Sequence, residues 1–140
     1  MRVRSLVLLL AAWALLAPAA AQARGAQIVS YENIAISLTA DGKPYTLDQV
    51  KRAIIQATTA KGWSGSVQGA NTVRATYTRG KHSAVVDVVF SETSYSIKYV
   101  DSHELGYAEQ GGKTVIHPTY NKAVTALRQG IDAALRVVSI

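Results

Sequence analysis

The 140-residue chain has no cysteine. That absence excludes disulfides, cysteine-ligated zinc, iron–sulfur clusters and thiol chemistry, and it leaves no residue to carry a lipid at a signal cleavage point. No apolar run is long enough to span a bilayer: the stretch Leu6 to Ala17 has 12 residues, where a membrane-crossing helix needs about 20. Adjacent arginines are missing from the N-terminus, since Val3 separates Arg2 from Arg4, so twin-arginine export is not indicated. Acidic side chains are scarce, 9 against 15 Lys and Arg, for a formal charge of +6. Signatures of hydrolytic and phosphate chemistry are missing as well. There is no H-E-x-x-H, and Gly62-Trp63-Ser64-Gly65 is one residue out of register with G-x-S-x-G. Gly111-Gly112 has neither the spacing nor the following helix of a phosphate loop.

What is present begins with an address. Arg2 and Arg4 form a basic region, Leu6 to Ala17 an apolar one, and Pro18 breaks the run before Ala21-Gln22-Ala23. That is the layout of a secretory signal peptide with cleavage expected before Arg24. The expectation is a signal over residues 1–23 and a single α+β domain over 24–140, periplasmic or secreted, with no stable membrane anchor after cleavage. Removing 23 of 140 residues leaves 117, and a domain of that size buries about two thirds of its unfolded surface. It can therefore hold a core without disulfides, although an oxidising compartment would permit them. Loss of Arg2 and Arg4 leaves 13 basic against 9 acidic residues, a net charge of +4, which suits attraction to anionic envelope surfaces. No arginine-rich run or nucleic-acid module accompanies the charge, so no nucleic acid is expected as a partner.

Along the mature segment, Tyr31 to Leu38 alternates as a first strand and ends at the turn Asp41-Gly42-Lys43-Pro44. A helix follows, with Thr46 as N-cap, Asp48 in its first turn and Leu47, Val50, Ile54 and Ala57 as its buried stripe. Lys61 then Gly62 supply a basic last turn and a C-cap. Trp63 to Val67 starts the next strand, with Trp63 as a core anchor. Thr72–Thr78, Ser83–Ser91 and Ser94–Asp101 are rich in Val, Thr, Tyr and Ile at period two. Joined through Gly80-Lys81 and Glu92-Thr93, they form an antiparallel meander; Gly80 can open a type II′ turn, whereas Glu92-Thr93 is a poor turn pair.

Two-residue loops fix the pairing by arithmetic: facing residues sum to 161 across the first two strands and to 185 across the second and third. Val73 then faces Val88, which faces Ile97; Ala75 faces Val86, which faces Tyr99; and Phe90 faces Tyr95, all on one face. The other face carries Thr72, Arg74, Thr76, Val85, Asp87, Val89, Ser96, Lys98 and Val100, with Asp87 between Arg74 and Lys98. A one-residue slip would put Asp87 in the core. After Asp101 the chain reads as irregular, Lys113 to Ile116 as a short extended segment, and Pro118 onward as a second helix with Tyr120, Val124, Leu127, Ile131, Ala134 and Val138 on its core face. Gly130 interrupts that helical pattern. The resulting fold class is α+β, a two-layer sandwich with an antiparallel sheet of about four to five strands and two helices packed on one face.

Tyr95-Ser96-Ile97-Lys98-Tyr99-Val100-Asp101-Ser102 and Ile116-His117-Pro118-Thr119-Tyr120-Asn121, together with Gly62-Trp63, resemble a group of small exported bacterial proteins and lipoproteins that lack a known function. The likeness covers roughly residues 46 to 135. Relatives in that group often carry a lipidated cysteine after the signal, which this chain lacks, so no tether is implied. They also often have Trp two residues after the Tyr-Asn pair, where this chain has Ala123. The resemblance implies an envelope location and an α+β fold, and it supplies no catalytic residues.

The densest polar cluster is Asp101, Ser102, His103 and Glu104, followed by His117, Tyr120 and Asn121. A zinc site would need several ligands converging within about 2.2 Å of the ion, and neighbours such as His103 and Glu104 tend to point apart; no metal and no cofactor are expected. A hydrolase would need Ser102 within reach of His117 and a third group to orient the histidine. Simpler structural roles exist for each residue: Asp101 and Ser102 as turn formers, Pro118 and Asn121 as parts of a helix start, Tyr95, Tyr99 and Tyr120 as amphipathic core residues, and His82 as an exposed residue beside a turn. The preferred expectation is a non-enzymatic domain that binds an envelope component or a protein through the 101–120 loop, using Asp101, Ser102, His103, His117, Tyr120 and Asn121. The alternative is a small envelope hydrolase using Ser102 and His117. A monomer or weak dimer is expected, the dimer formed through Val85, Val89 and Val100.

Overall fold

A computed structural model describes residues 25–138; the signal segment expected over 1–23 lies outside them. The chain runs β1 (Ala26–Gln27), β2 (Tyr31–Ala35), α1 (Leu47–Ala60), β3 (Trp63–Val67), β4 (Thr72–Arg79), β5 (His82–Phe90), β6 (Ser94–His103), β7 (Ala108–Gln110), β8 (Lys113–Ile116) and α2 (Pro118–Val138). Five strands form an antiparallel sheet in the order β2-β6-β5-β4-β3, and a smaller sheet has the order β1-β8-β7. Both helices pack on one face of the large sheet, an α+β sandwich as the sequence pattern required. Between the layers lie Val50, Ile54 and Ala57 of α1, Val73, Ala75, Val86, Val88, Tyr95 and Ile97 of the sheet, and Val124, Leu127 and Ile131 of α2.

Local chemistry explains where the elements start and stop. Thr46 caps α1 through a reciprocal box: its hydroxyl accepts from the Gln49 N–H at 3.1 Å, and the Gln49 side chain accepts from the Thr46 N–H at 2.9 Å. Lys61 stands at the C-cap rather than in the last turn, and Gly62 follows with φ +79°, the left-handed stop that favours glycine. Gly80 opens the β4–β5 turn with φ +60°. The unpromising Glu92-Thr93 turn is held by Ser91, whose Oγ accepts from the N–H groups of both Thr93 and Ser94.

The register of the meander follows the two-residue loops. Arg74 faces Asp87, Asp87 faces Lys98, Val88 faces Ile97, and Phe90 faces Tyr95. Arg74 grips Asp87 in a two-pronged contact, Nε to Oδ1 at 2.9 Å and Nη2 to Oδ2 at 3.0 Å, while Lys98 stands opposite without closing an ion pair. The uniform pairing breaks once. Between Val86↔Tyr99 and Val85↔Asp101 the register shifts, leaving Val100 as the extra residue of a bulge. Past that point each β6 residue changes faces: Ser102, opposite Ala84, turns toward the helices, and Asp101, opposite Val85, turns outward.

Three further features depart from the expected map. β2 stops at Ala35 and kinks at Asn33, whose φ is +51° and whose N–H donates to Ser96 Oγ at 2.9 Å, which accounts for the burial of a serine on the open face. The span read as irregular contains a hairpin, β7–β8, turned by Gly111-Gly112 with both φ positive as a type I′ turn demands. β8 then pairs with β1, and Leu105 from the intervening loop is buried in the core. Gly130, the irregularity inside α2, lies where the helices touch: a Cβ there would sit 2.8 Å from Lys61 Cγ and 3.4 Å from Ala57 Cβ.

Candidate binding surface at the sheet end

The bulge and the β7–β8 hairpin gather the sequence-selected residues around one end of the sheet, but with different duties. Asp101 is exposed, and its Oδ1 accepts from the Ser102 N–H at 2.9 Å, a local turn contact. Ser102 is half-buried, its Oγ 2.8 Å from Tyr99 Oη. His103 points into solvent with Nε2 3.7 Å from Glu104 Oε1. Glu104 has φ +57°, and this left-handed residue sends the chain from the strand into the Leu105 loop.

His117 is fixed from three sides. Its N–H donates to the Leu105 carbonyl at 2.7 Å, its carbonyl accepts from the Tyr120 N–H at 3.0 Å, and its Nδ1 accepts from the Thr119 N–H at 3.1 Å, so the imidazole caps α2. Because Nδ1 is an acceptor, the neutral ring carries its proton on Nε2. The His82 ring lies nearly parallel to it, centroids 6.2 Å apart and planes 16° apart.

Tyr120 and Asn121 are supports. Tyr120 is 1 % exposed, and its ring meets Tyr99 edge-on at 5.8 Å. Burial, with smaller contributions from Tyr99 and Tyr107, pushes its phenol far above the usual range. Asn121 spends both ends of its amide on the N-terminal segment: Oδ1 accepts from the Val29 N–H and Nδ2 donates to the Gln27 carbonyl, each at 3.0 Å. It fastens β1 to α2.

The accessible chemistry of this end belongs to a residue that pattern reading passed over. Tyr107 stacks flat on Tyr99 with centroids 4.3 Å apart and planes 4° apart, and it is 46 % exposed. Beneath it the column continues through Tyr99 to Tyr120. An aromatic straight after Gly106, itself at φ +63°, was the only local signal; the partner ring comes from a distant strand.

Ser102 and His117 are each engaged with other groups. Ser102 bonds to Tyr99, the Nδ1 of His117 bonds to backbone, and no hydrogen bond joins the two among the described residues. With its proton on Nε2, neutral His117 presents a donor there, whereas a general base needs a free lone pair. Among the described residues, no group of three His, Asp or Glu side chains is placed to hold a metal ion. No helix there is long and apolar enough to cross a membrane. A cleft of about 470 Å³ lies elsewhere, between Ile34–Ser37 and the α2 residues Arg128, Asp132 and Leu135.

No family model, curated protein or solved structure matches the chain.

Proposed function

We propose that the protein is a periplasmic or secreted domain, without catalytic activity, that binds an envelope component or another protein through the Tyr99–Tyr107 end of its sheet. The observation that carries the reading is the stack itself. A half-exposed tyrosine held flat on a second ring, over a buried third, presents a large rigid surface with little conformational entropy left to lose on binding. His103, farther along the same strand, and the His82–His117 pair offer polar contacts at this end of the sheet. The signal-like N-terminus and the resemblance to exported bacterial proteins support the location. The domain acts as a monomer or a weak dimer.

The test is a comparative capture from an envelope fraction. Tyr107→Ala and His103→Ala lose a partner that the parent protein and Lys98→Ala, altered opposite Asp87 toward the middle of the sheet, both retain. Equal capture by all four proteins would place the binding surface elsewhere. Light scattering across a concentration series separates monomer from dimer.

A further inference from the structure

Beside the tyrosine column lies a second feature of different chemistry. The C-cap of α1, the end of β4 and the first turns of α2 enclose a cleft of about 320 Å³, and three of its lining residues are cations, Lys61, Arg79 and Lys122. Thr119 and Tyr77 complete the polar lining, and no carboxylate side chain among the described residues lines it. Several other cations are matched locally: Lys51 and Arg52 with Asp48, Arg74 with Asp87, Arg128 with Asp132. The three charges in the cleft have no such match among the described residues. Like charges gathered without a counter-charge repel one another, so this arrangement costs stability unless an anion joins it.

The fold prepares these groups. Strand alternation places Arg79 on the helix side of the sheet with Tyr77 and Val73, because Arg79 pairs with His82 at the hairpin end. The Lys61 stem lies over Gly130; a Cβ there would come within 2.8 Å of Lys61 Cγ and 3.1 Å of Cε. The helix–helix contact therefore holds the aliphatic chain of Lys61, a residue that also lines the cleft. Lys122 and Thr119 come from the first turn and a half of the 21-residue α2, whose first turn holds no acidic residue. Tyr77, braced against Trp63 at 5.3 Å, and the methyls of Ala123 and Ala126 form an apolar wall.

We propose that this cleft binds a phosphate ester, its phosphoryl oxygens held by Lys61, Arg79, Lys122 and the Thr119 hydroxyl, and its organic portion lying against Tyr77. An arginine fork with two ammonium groups matches a dianionic phosphate in charge and in donor geometry. The aromatic and alanine wall favours an ester over the bare ion. Such an ester reaches an exported protein either as a soluble metabolite or as the head group of an anionic lipid, and both present the same group to the cleft. The site shares no side chain with the Tyr99–Tyr107 surface and stands independently of the function proposed for it.

The test is a two-dimensional amide NMR titration of the protein purified after cellular processing. The probes are glycerol 1-phosphate, inorganic phosphate, and vesicles of phosphatidylglycerol or of phosphatidylcholine. Saturable shifts centred on Lys61, Tyr77, Arg79, Thr119 and Lys122 are expected with glycerol 1-phosphate, and weaker binding with inorganic phosphate. Arg79→Gln and Lys122→Gln each weaken binding about tenfold, equivalent to roughly 1.4 kcal/mol, while Lys98→Gln on the other face leaves it unchanged. Sodium chloride at matched ionic strength gives no saturable shift. Vesicle binding that requires phosphatidylglycerol and falls with the same two variants assigns a lipid source; binding of the soluble ester alone assigns a metabolite. The proposal is overturned if glycerol 1-phosphate gives no saturable shift, or if Lys98→Gln weakens binding as much as Arg79→Gln does.

Discussion

Tyr95 Oη donates a 2.6 Å hydrogen bond to Asp132 Oδ1, joining the start of β6 to α2 across the core. The contact lies under a wider clasp: Asp132 also meets Arg128, and the Arg128 guanidinium sits 5.0 Å above the Tyr31 ring. Tyr95→Phe keeps the ring and removes only the donor to a carboxylate. A loss of about 1–2 kcal/mol in unfolding free energy is expected, read from urea denaturation with an unchanged slope. An unaltered midpoint would mean that Arg128 replaces the lost donor fully.

The same tyrosine sets an alkaline limit. Burial first, and the hydrogen bond to Asp132 second, push the Tyr95 phenol far above its ordinary pKa of about 10; burial does the same to Tyr120. Folded-state values above the unfolded ones mean that the fold favours the protonated phenols. Their contribution to stability is complete below about pH 10 and is lost as the pH climbs toward the folded-state values. Tyr95 and Tyr120 should therefore stay protonated beyond pH 10 while the chain is folded and ionise on unfolding. Phenolate absorbance and circular dichroism followed together check this: a step in ionisation should coincide with loss of the fold.

Periodicity and loop length made most of this structure readable before any coordinates. Two-residue loops turned β4, β5 and β6 into an addition rule, and Asp87 landed opposite Arg74 as that rule required. The helices were legible from their stripes and from Thr46, Gly62 and Pro118 at their ends. What escaped has a common physical cause. A two-residue β1 and a three-residue β7 are too short to show alternation, and the Gly111-Gly112 pair was weighed as a phosphate loop although it is equally a hairpin signal. The bulge at Val100 leaves no mark in residue type. Tyr107 over Tyr99 and the convergence of Lys61, Arg79 and Lys122 are products of tertiary approach, which no window along the chain contains.

Gly65 marks a close approach of sheet to helix. A Cβ there would lie 2.7 Å from Thr58 Oγ1 and 3.4 Å from Thr58 Cβ, and Thr58 is buried with its hydroxyl bonded to the Ile55 carbonyl at 2.6 Å. Gly65→Ala is expected to cost about 1–3 kcal/mol through overpacking. Combining it with Thr58→Ala removes the clash, so the double variant should be more stable than the sum of the single effects predicts. Thermal unfolding of the four proteins checks the coupling; strict additivity would show that β3 shifts away instead.

Asn121→Ala tests the fastening of β1. Both amide contacts disappear, and about 1–2 kcal/mol of local stability goes with them. The loss should appear as faster hydrogen exchange at Ile28 and Val29, with little change at core amides such as Val86 and Val88. Asn121→Asp keeps an acceptor for the Val29 N–H but loses the donor to the Gln27 carbonyl, and it should fall between the two.

Deleting Val100 asks whether the bulge is required. Without the extra residue the pairing that ends at Val86↔Tyr99 would continue evenly, with Asp101 still opposite Val85 on the open side and Ser102 still opposite Ala84 on the helix side. The partners are those of the bulged strand, and only the local bend and added twist are lost. The deletion is therefore expected to keep the fold at a cost of about 0.5–3 kcal/mol, from re-seating the end of β6. Val100→Ala leaves the bulge in place on an exposed residue and should stay within about 0.5 kcal/mol of the parent. Urea denaturation of the two variants checks both values. A deletion variant as stable as Val100→Ala would show that the bend is not needed to seat Ser102 against Tyr99.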